Sequence, residues 1–421
     1  MKKTTEYVLG FVLLALTLVL GISFLGKPIL LARLIIGLGI GYVLVRSAYG
    51  FAGTANRAFD SGSTKLMRAF MLLIILSAFL TVVFVAVPAK DINSEFAVTY
   101  GLFIHPITIG TFLGALMFGI GMSFAGGCAS GVLTDLSSVF PQALLGLIFF
   151  GVGRFLGAPL EKKVFNSLIN TSLIKSSENV NGVWLPDFFK FDGLNGFLGA
   201  YIVTLILAGI VIKLSYNYES KRKAKKTYSP IESEEKAIEA LADIEKENLL
   251  SYKKIFTRPW TLWEGSIGMA IMYAALMGFT RGAWGVSGPF GYWIGKFVSL
   301  FTGKEAVLDF VGNQNYLNAT VFTNPVSLQD IGIILGGFIA LLTMGKFFGN
   351  FKEGFKISGL QVILSIVGGL LMGFGTIFAK GCNAGGLFSP IVSFSLSGWL
   401  FLIFMVTGAF LGNKIIKSVS K

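Results

Sequence analysis

Two cysteines, Cys128 and Cys382, are the residues of this sequence best suited to specific chemistry. Each follows a glycine in a glycine-rich segment, 125–131 in the first half of the chain and 379–386 in the second. A thiol is small, polarisable and a weak S–H donor, which suits contact with a sulfur atom. The paired context favours a site for a sulfur-type solute over a structural disulfide. The alternative is two buried cysteines that act as small core residues.

Glycines and polar residues flank both cysteines. Gly127 and Gly381 permit tight turns and close backbone approach, and the backbone N–H groups freed at such breaks form nests that bind anions. Ser130, Asn383 and Lys380 add hydrogen bonds or positive charge. We therefore expect these residues, together with the two thiols, to bind a small anionic solute.

The charged residues have more than one interpretation each. Lys380 binds the solute, or it only extends its amine to the membrane surface or neutralises Asp135. Arg46 and Arg281 attract an anion to the two mouths of a path, or they are ordinary interfacial arginines. His105 precedes Pro106 at an expected helix start, where a structural role is favoured over proton coupling.

The elements that position these residues are membrane-spanning helices. Hydrophobic residues make up 54% of the 421 positions and charged residues 14%, with a mean hydropathy of +0.74, whereas a soluble domain is about one-quarter charged. Apolar runs long enough to cross a bilayer predict ten spans, near 7–25, 29–49, 67–88, 100–124, 139–160, 193–215, 263–284, 328–347, 357–379 and 391–414.

Three segments recur in the same order in both halves of the chain. The pairs are 46–53 with 281–288, 119–128 with 373–382, and 155–157 with 410–412. Five predicted spans separate the two copies, and an odd number inverts the second copy. The sequence thus predicts an all-α integral membrane protein of about ten transmembrane helices, in two inverted-topology repeats with Gly/Cys re-entrant hairpins.

The whole chain is expected to form one polytopic membrane domain, with repeat one at 1–160, repeat two at 193–421 and a linker at 217–259. Basic residues in the second loop and in the linker place both termini in the cytoplasm by the positive-inside rule. The first apolar run is expected to be an uncleaved span. In the linker, Ile238, Leu241, Ile244 and Leu249 predict a short amphipathic helix.

The net charge of +13 does not indicate nucleic-acid binding, because the basic residues cluster between apolar runs. The sequence contains no Gly-Lys-Ser/Thr phosphate-binding loop and no nucleophile–base motif, and one histidine does not supply a histidine-rich metal site. We therefore expect a transporter that is not an enzyme and has no cofactor and no metal.

The segment 46–53 and the two Gly-Cys segments resemble the YeeE/YedE family of bacterial sulfur-transport membrane proteins, from about residue 36 to 417. The resemblance implies a multi-pass protein of the bacterial inner membrane, with Cys128 and Cys382 passing thiosulfate through a narrow middle by S–H contacts. Family members commonly carry a further cysteine where this chain has Gly50. The YedE-like branch is associated with selenium metabolism, and a small cytoplasmic sulfur-carrier protein is an implied partner.

The leading hypothesis is a permease for thiosulfate or a related sulfur or selenium species. A membrane redox or sulfur-transfer component is an alternative, and it requires a reactive thiolate rather than a protonated thiol. A passive channel for small solutes is another alternative, and it would tolerate exchange of cysteine for serine.

Overall fold

The computed structural model describes residues 3–86, 101–163, 166–245 and 256–420. These residues form α-helices, one 3₁₀ turn (Leu185–Phe188) and two π-helical turns (Val82–Ala86 and Asn383–Phe388). Within the described ranges, β-structure is confined to one isolated bridge between Trp184 and Ser395. The predicted all-α class is confirmed.

The α-helices, in chain order, are α1 (Lys3–Phe24), α2 (Pro28–Arg46), α3 (Gly53–Asp60), α4 (Lys65–Thr81), α5 (Ile109–Phe124), α6 (Ala129–Asp135), α7 (Phe140–Lys163), α8 (Asn166–Asn170), α9 (Phe197–Ala224), α10 (Glu232–Glu245), α11 (Leu262–Thr280), α12 (Gly288–Thr302), α13 (Lys304–Val311), α14 (Pro325–Thr343), α15 (Phe347–Gly354), α16 (Gly359–Phe378), α17 (Ser389–Val392) and α18 (Leu396–Val419).

Ten helical stretches of the described chain are long and apolar enough to cross a membrane, and they coincide with the ten predicted spans. The prediction of ten spans is confirmed. The fraction of buried residues distinguishes the inner helices from the outer ones. In the most apolar part of α14, 72% of the residues are buried inside the protein, against 17% in α1. Helix α14 therefore lies at the centre of the bundle, and α1 presents most of its surface to lipid.

Two helix ends differ from the prediction more than the others do. The fourth span was expected from residue 100, which lies outside the described residues, but α5 begins at Ile109. Thr108 caps this helix by accepting a hydrogen bond from the backbone N–H of Thr111 at 3.0 Å. Helix α9 continues to Ala224 because Glu219 forms an ion pair with Arg68 of α4 at 3.0 Å, which holds its last turns against the bundle.

The predicted amphipathic helix of the linker is present as α10, and Leu249 lies outside the described residues. Its Glu234 is buried and forms an ion pair with Arg57 at 2.8 Å. We call the side of the bundle that carries α10 the linker face, and the other side the far face. Helices α2 and α14 both end at the linker face, where Arg46 donates to Thr343 Oγ1 at 2.9 Å.

The helices of the two halves pack on each other reciprocally. Helix α5 packs against α16 and α18, α16 also packs against α7, and α2 packs against α14 and α11. Each glycine–cysteine segment follows a helix, α5 or α16, that lies within this interface. The two-repeat organisation and its boundaries stay a prediction, to which this reciprocal packing adds support.

Glycines allow the central helices to touch backbone to backbone. A Cβ atom at Gly41 of α2 would lie 2.0 Å from the carbonyl oxygen of Ile333, and one at Gly336 of α14 would lie 2.2 Å from that of Leu38. Gly37 and Gly332 make the same close approach one turn earlier. Both helices thus carry the small-xxx-small spacing that favours helix association in lipid.

Replacing Gly41 by alanine is expected to destabilise the fold by roughly 1–3 kcal/mol, because the methyl group meets backbone that cannot move locally. Gly209→Ala in α9 is the matched control, since no atom lies within 4 Å of its Cβ position. Thermal unfolding of both variants in detergent, followed by size-exclusion chromatography, measures the difference. Equal midpoints for the two variants would contradict the packing described for α2 and α14.

Candidate functional site

The chain leaves helical geometry at both glycine–cysteine segments. After α5, Gly126 adopts a positive φ of 77° and Cys128 is extended before α6 begins. After α16, Lys380 has a φ of 61° and Cys382 is extended before the π-helical turn. Both cysteines therefore stand at the start of a short helical segment, inside the bundle. Irregular backbone of this kind is tolerated at membrane depth where protein or a wet cavity surrounds it.

The two interruptions meet in the interior. Helix α6 contacts the turn Asn383–Phe388, and Asn383 Nδ2 lies 3.6 Å from the sulfur of Met122 in α5. Cys128 and Cys382 are both free thiols, each 1% exposed, within one continuous apolar cluster. The structure thus brings the two predicted thiol segments together without a disulfide.

A cavity of about 440 Å³ reaches Cys128 from the linker face. Cys128 Sγ lies 3.4 Å from Ser130 Oγ, so the hydroxyl and the thiol share one hydrogen bond. Gly127 leaves room for the carboxylate of Asp135, because a Cβ atom at position 127 would lie only 3.0 Å from Asp135 Oδ2. The cavity is lined by Leu44, Val45, Ala48, Tyr49, Gly50, Ala52, Gly53, Asn56, Arg57, Gly126, Gly127, Cys128, Gly131, Thr134, Asp135, Ser138, Leu341 and Asn350.

A second depression of about 510 Å³ adjoins the first and shares Val45, Ala48, Leu341 and Asn350 with it. We call the two together the vestibule.

The mouth of the vestibule is rich in cations. Lys346, Lys236 and Arg46 line the second depression together with one anion, Glu232, which forms an ion pair with Lys236. The pKa of Lys346 is lowered, first by burial and then by the positive charges of Lys236, Arg46 and Lys3. Repulsion of this kind means that the cations are near enough to act together on a passing anion.

Arg46 and Arg281 differ in their surroundings. Arg46 is 1% exposed, and its guanidinium donates to Tyr42 Oη, Thr343 Oγ1 and the carbonyl oxygens of Phe256 and Arg258. Its N–H groups thus tie α2 to α14 and to the end of the linker, although its charge still contributes to the field of the vestibule.

Arg281 lies beyond the C-terminus of α11 on the far face. Its side chain is exposed and its φ is 48°. The two repeat-related arginines therefore lie on opposite faces of the bundle.

Lys380 forms an ion pair with Glu161 and also donates to Asn170 Oδ1. The alternative that Lys380 neutralises Asp135 is therefore wrong, because its amine is directed to the end of α7. Asn383, in contrast, is 0% exposed and directed into the interior. Its Oδ1 atom has no hydrogen-bond partner, which leaves a free acceptor beside Cys382.

The far side of Cys382 is closed. Phe103 lies against Gly285 and Gly385, where Cβ atoms would be 3.5 Å from its ring, and its N–H donates to Ser393 Oγ at 3.2 Å. His105 Nε2 lies 2.9 Å from the carbonyl oxygen of Gly385. Cys382 does not line the vestibule. The site is thus open from the linker face to Cys128 and closed beyond Cys382.

The sequence analysis missed several residues that line the cavity, including Asn56, Arg57, Tyr49 and Asp135. Asn56 Oδ1 accepts hydrogen bonds from Ser123 Oγ at 2.9 Å and from Asn413 Nδ2 at 2.8 Å. Asn56 and Arg57 lie three and four positions after the repeated segment 46–53, and this closeness in the sequence is the signal that could have identified them.

Comparison with known proteins identifies the family of the chain. The family model described as sulphur transport matches residues 46–411. The chain belongs to this family. The resemblance to YeeE/YedE proteins is confirmed, and the matched range contains both cysteine segments.

Several characterised or named proteins are similar to the chain. It is 26% identical to a thiosulfate transporter, TsuA, of Spirochaeta thermophila over 305 residues, which cover 71% of this chain and 75% of that protein. It is 23% identical to TsuA of Escherichia coli over 391 residues, 92% of this chain and 94% of that one. It is 29% identical to the probable transporter YedE of Salmonella typhimurium over 155 residues, 37% of each chain.

The open and closed sides predict different access to the two thiols. A small methanethiosulfonate reagent added from the linker face is expected to modify Cys128 through the vestibule and to leave Cys382 unmodified. Mass spectrometry of Cys382→Ser and Cys128→Ser proteins, each with one remaining thiol, measures this. Faster modification of Cys382 than of Cys128 would contradict the placement of Cys382 outside the vestibule.

Proposed function

We propose that this protein is a permease that takes up thiosulfate, or a related small sulfur or selenium anion, across the bacterial inner membrane. The observation that carries the proposal is the vestibule, which leads from a cationic mouth to Cys128 at the meeting point of the two interrupted helices. Membership of the sulphur transport family and the names of the relatives support the same conclusion.

The chemistry of the path suits a sulfur oxyanion. Cations at the mouth raise the local concentration of an anion at the linker face. Deeper inside, the thiols of Cys128 and Cys382 offer weak S–H donors to a polarisable sulfur atom, so that the solute is bound and still released. Ser130 shares a hydrogen bond with the Cys128 thiol, and Asn383 beside Cys382 offers an unpartnered acceptor.

The glycine at position 50 supports a set of substrates that is wider than thiosulfate alone. It lines the vestibule, and no atom lies within 4 Å of its Cβ position. Family members commonly carry a cysteine at the position that Gly50 occupies in this chain. We infer that this chain lacks the further thiol that family members carry at this position. Selenium species are therefore included among the substrates to be tested.

The linker face is proposed to be cytoplasmic, with both termini on that side. It carries Arg57, Lys65, Arg68 and the basic end of α9, as the positive-inside rule requires. A small sulfur-carrier protein that receives the solute would meet the protein at this face, beside α10.

Exchange of either cysteine for serine is expected to lower the rate of thiosulfate uptake about tenfold or more. A tenfold change corresponds to an activation free energy that is about 1.4 kcal/mol higher in the rate-limiting step. A hydroxyl is a hard donor and cannot replace the polarisable thiol. The measurement is uptake of radiolabelled thiosulfate by cells that lack their own uptake systems, with selenium and sulfur oxyanions as competitors.

Membrane expression of the variants is the control for this experiment. Unchanged uptake in both serine variants would show that the cysteines are core residues. It would contradict the proposal that the solute passes along the two thiols. No uptake by the wild-type protein would exclude thiosulfate as the substrate.

The cationic mouth predicts a dependence on ionic strength. Lys346→Gln is expected to lower the initial rate of thiosulfate transport that starts from the linker face at low salt, and the deficit is expected to shrink as salt screens the field. Lys356→Gln is the matched control, because Lys356 is exposed on the same face and does not line the vestibule. Rates in proteoliposomes at two salt concentrations measure this, and a deficit that does not change with salt would contradict electrostatic attraction at the mouth.

A further inference from the structure

A buried polar cluster lies between α14 and α2, away from the vestibule. Asp330 is 0% exposed, and neither oxygen of its carboxyl group has a hydrogen-bond partner. The positive charge of Arg33 in α2 acts on this carboxyl group, but Arg33 Nη1 donates to Gln329 Oε1 at 2.7 Å and its Nε has no partner. The carboxyl group and the guanidinium are thus neighbours that do not form a salt bridge in this conformation.

An unpaired carboxylate within a membrane protein is strongly unfavourable, whereas a neutral carboxyl group is tolerated. Asp330 without a partner therefore carries a proton in the conformation described. If it loses that proton, the adjacent Arg33 can neutralise the charge by giving up its bond to Gln329. Each protonation state thus has its own set of contacts, which is what a coupling residue requires.

The groups around Asp330 connect it to the proposed path. Helix α2 contributes Arg33, α12 contributes Tyr292, and the turn before the π-helix contributes Cys382, all within electrostatic reach of the carboxyl group. Helix α1 covers this part of α14 with apolar side chains around Leu328 and Ile331.

The remaining neighbours of α14 contact it towards the linker face. Helix α6 approaches Gly337, where the carbonyl oxygen of Thr134 would lie 3.4 Å from a Cβ atom. Helix α15 approaches Phe338 through Phe347, whose ring centroid lies 5.5 Å away.

The cluster also contacts the segment that closes the far side. Gln329 Nε2 donates to the carbonyl oxygen of Gly285 at 3.3 Å, and Gly285 lies against Phe103. A change in the partner of Arg33 would release Gln329, which holds the backbone beside this closure. Proton binding and opening of the far side thus share one set of contacts.

We propose that Asp330 is a proton-binding site that couples inward movement of the sulfur anion to inward movement of protons, with Arg33 as its internal counter-charge. The inference rests on the proposed function. Entry of a dianion is opposed by an interior-negative membrane potential, and a proton carried with it reduces the charge moved. The proton enters from the far side, is held on the Asp330 carboxyl group and leaves at the linker face. No other bond is made or broken.

The test uses full-length protein in proteoliposomes with radiolabelled thiosulfate. An inward gradient of one pH unit is expected to raise accumulation by the wild-type protein up to about tenfold for each proton carried. Asp330→Asn is expected to abolish this stimulation and to retain exchange of thiosulfate for thiosulfate at equal pH. Asp60→Asn is the control, because its side chain is 59% exposed and lies 3.8 Å from Lys417, and it is expected to behave as wild type.

A second measurement does not depend on any variant. A pH-sensitive dye inside wild-type liposomes is expected to report acidification when thiosulfate is added outside. Absence of acidification during measurable uptake, or full stimulation by the gradient in Asp330→Asn, would overturn proton coupling and leave the permease intact. Absence of any thiosulfate transport by the wild-type protein would overturn both proposals.

Discussion

Close backbone contact at glycines is the constraint on which the rest of this structure depends. In lipid there is little hydrophobic drive between helices, so association relies on tight packing. The pairs α2 with α14 and α5 with α16 reach that packing because glycines lie on both sides, as Gly114 and Gly375 do. Only a bundle this compact can enclose two stretches of irregular backbone, whose polar groups would otherwise face hydrocarbon.

The site follows from this enclosure. Two helices stop inside the bundle at glycine–cysteine segments, and the surrounding helices close over them on one side and leave a vestibule on the other. Cations are concentrated at the open side, around Lys346 and Arg46. The arrangement is therefore uneven, with an open linker face and a far face that is closed at Phe103.

Much of this could be predicted from the sequence, because the signals are local. Runs of apolar residues gave the ten spans, the spacing of Ile238, Leu241 and Ile244 gave helix α10, and glycines around Cys128 and Cys382 gave the two interruptions. The family was evident from the same segments.

The partners of polar residues could not be predicted in this way, because they depend on which helices are neighbours. Lys380 pairs with Glu161, which is distant in sequence, and Arg46 binds the end of the linker. Asp330 was missed because a single carboxyl group in an apolar run has no pattern. The role proposed for Asp330 depends on the absence of hydrogen-bond partners for its two carboxyl oxygens.

The central claim is that a sulfur anion passes Cys128 and Cys382 at the middle of the bundle. Long-wavelength X-ray diffraction from crystals soaked in thiosulfate would locate the bound sulfur atoms directly by their anomalous signal. We expect paired sulfur peaks within contact distance of Cys128 Sγ in the vestibule, or between the two thiols. Thiosulfate peaks that lie elsewhere, with this region empty at saturating concentration, would contradict the account.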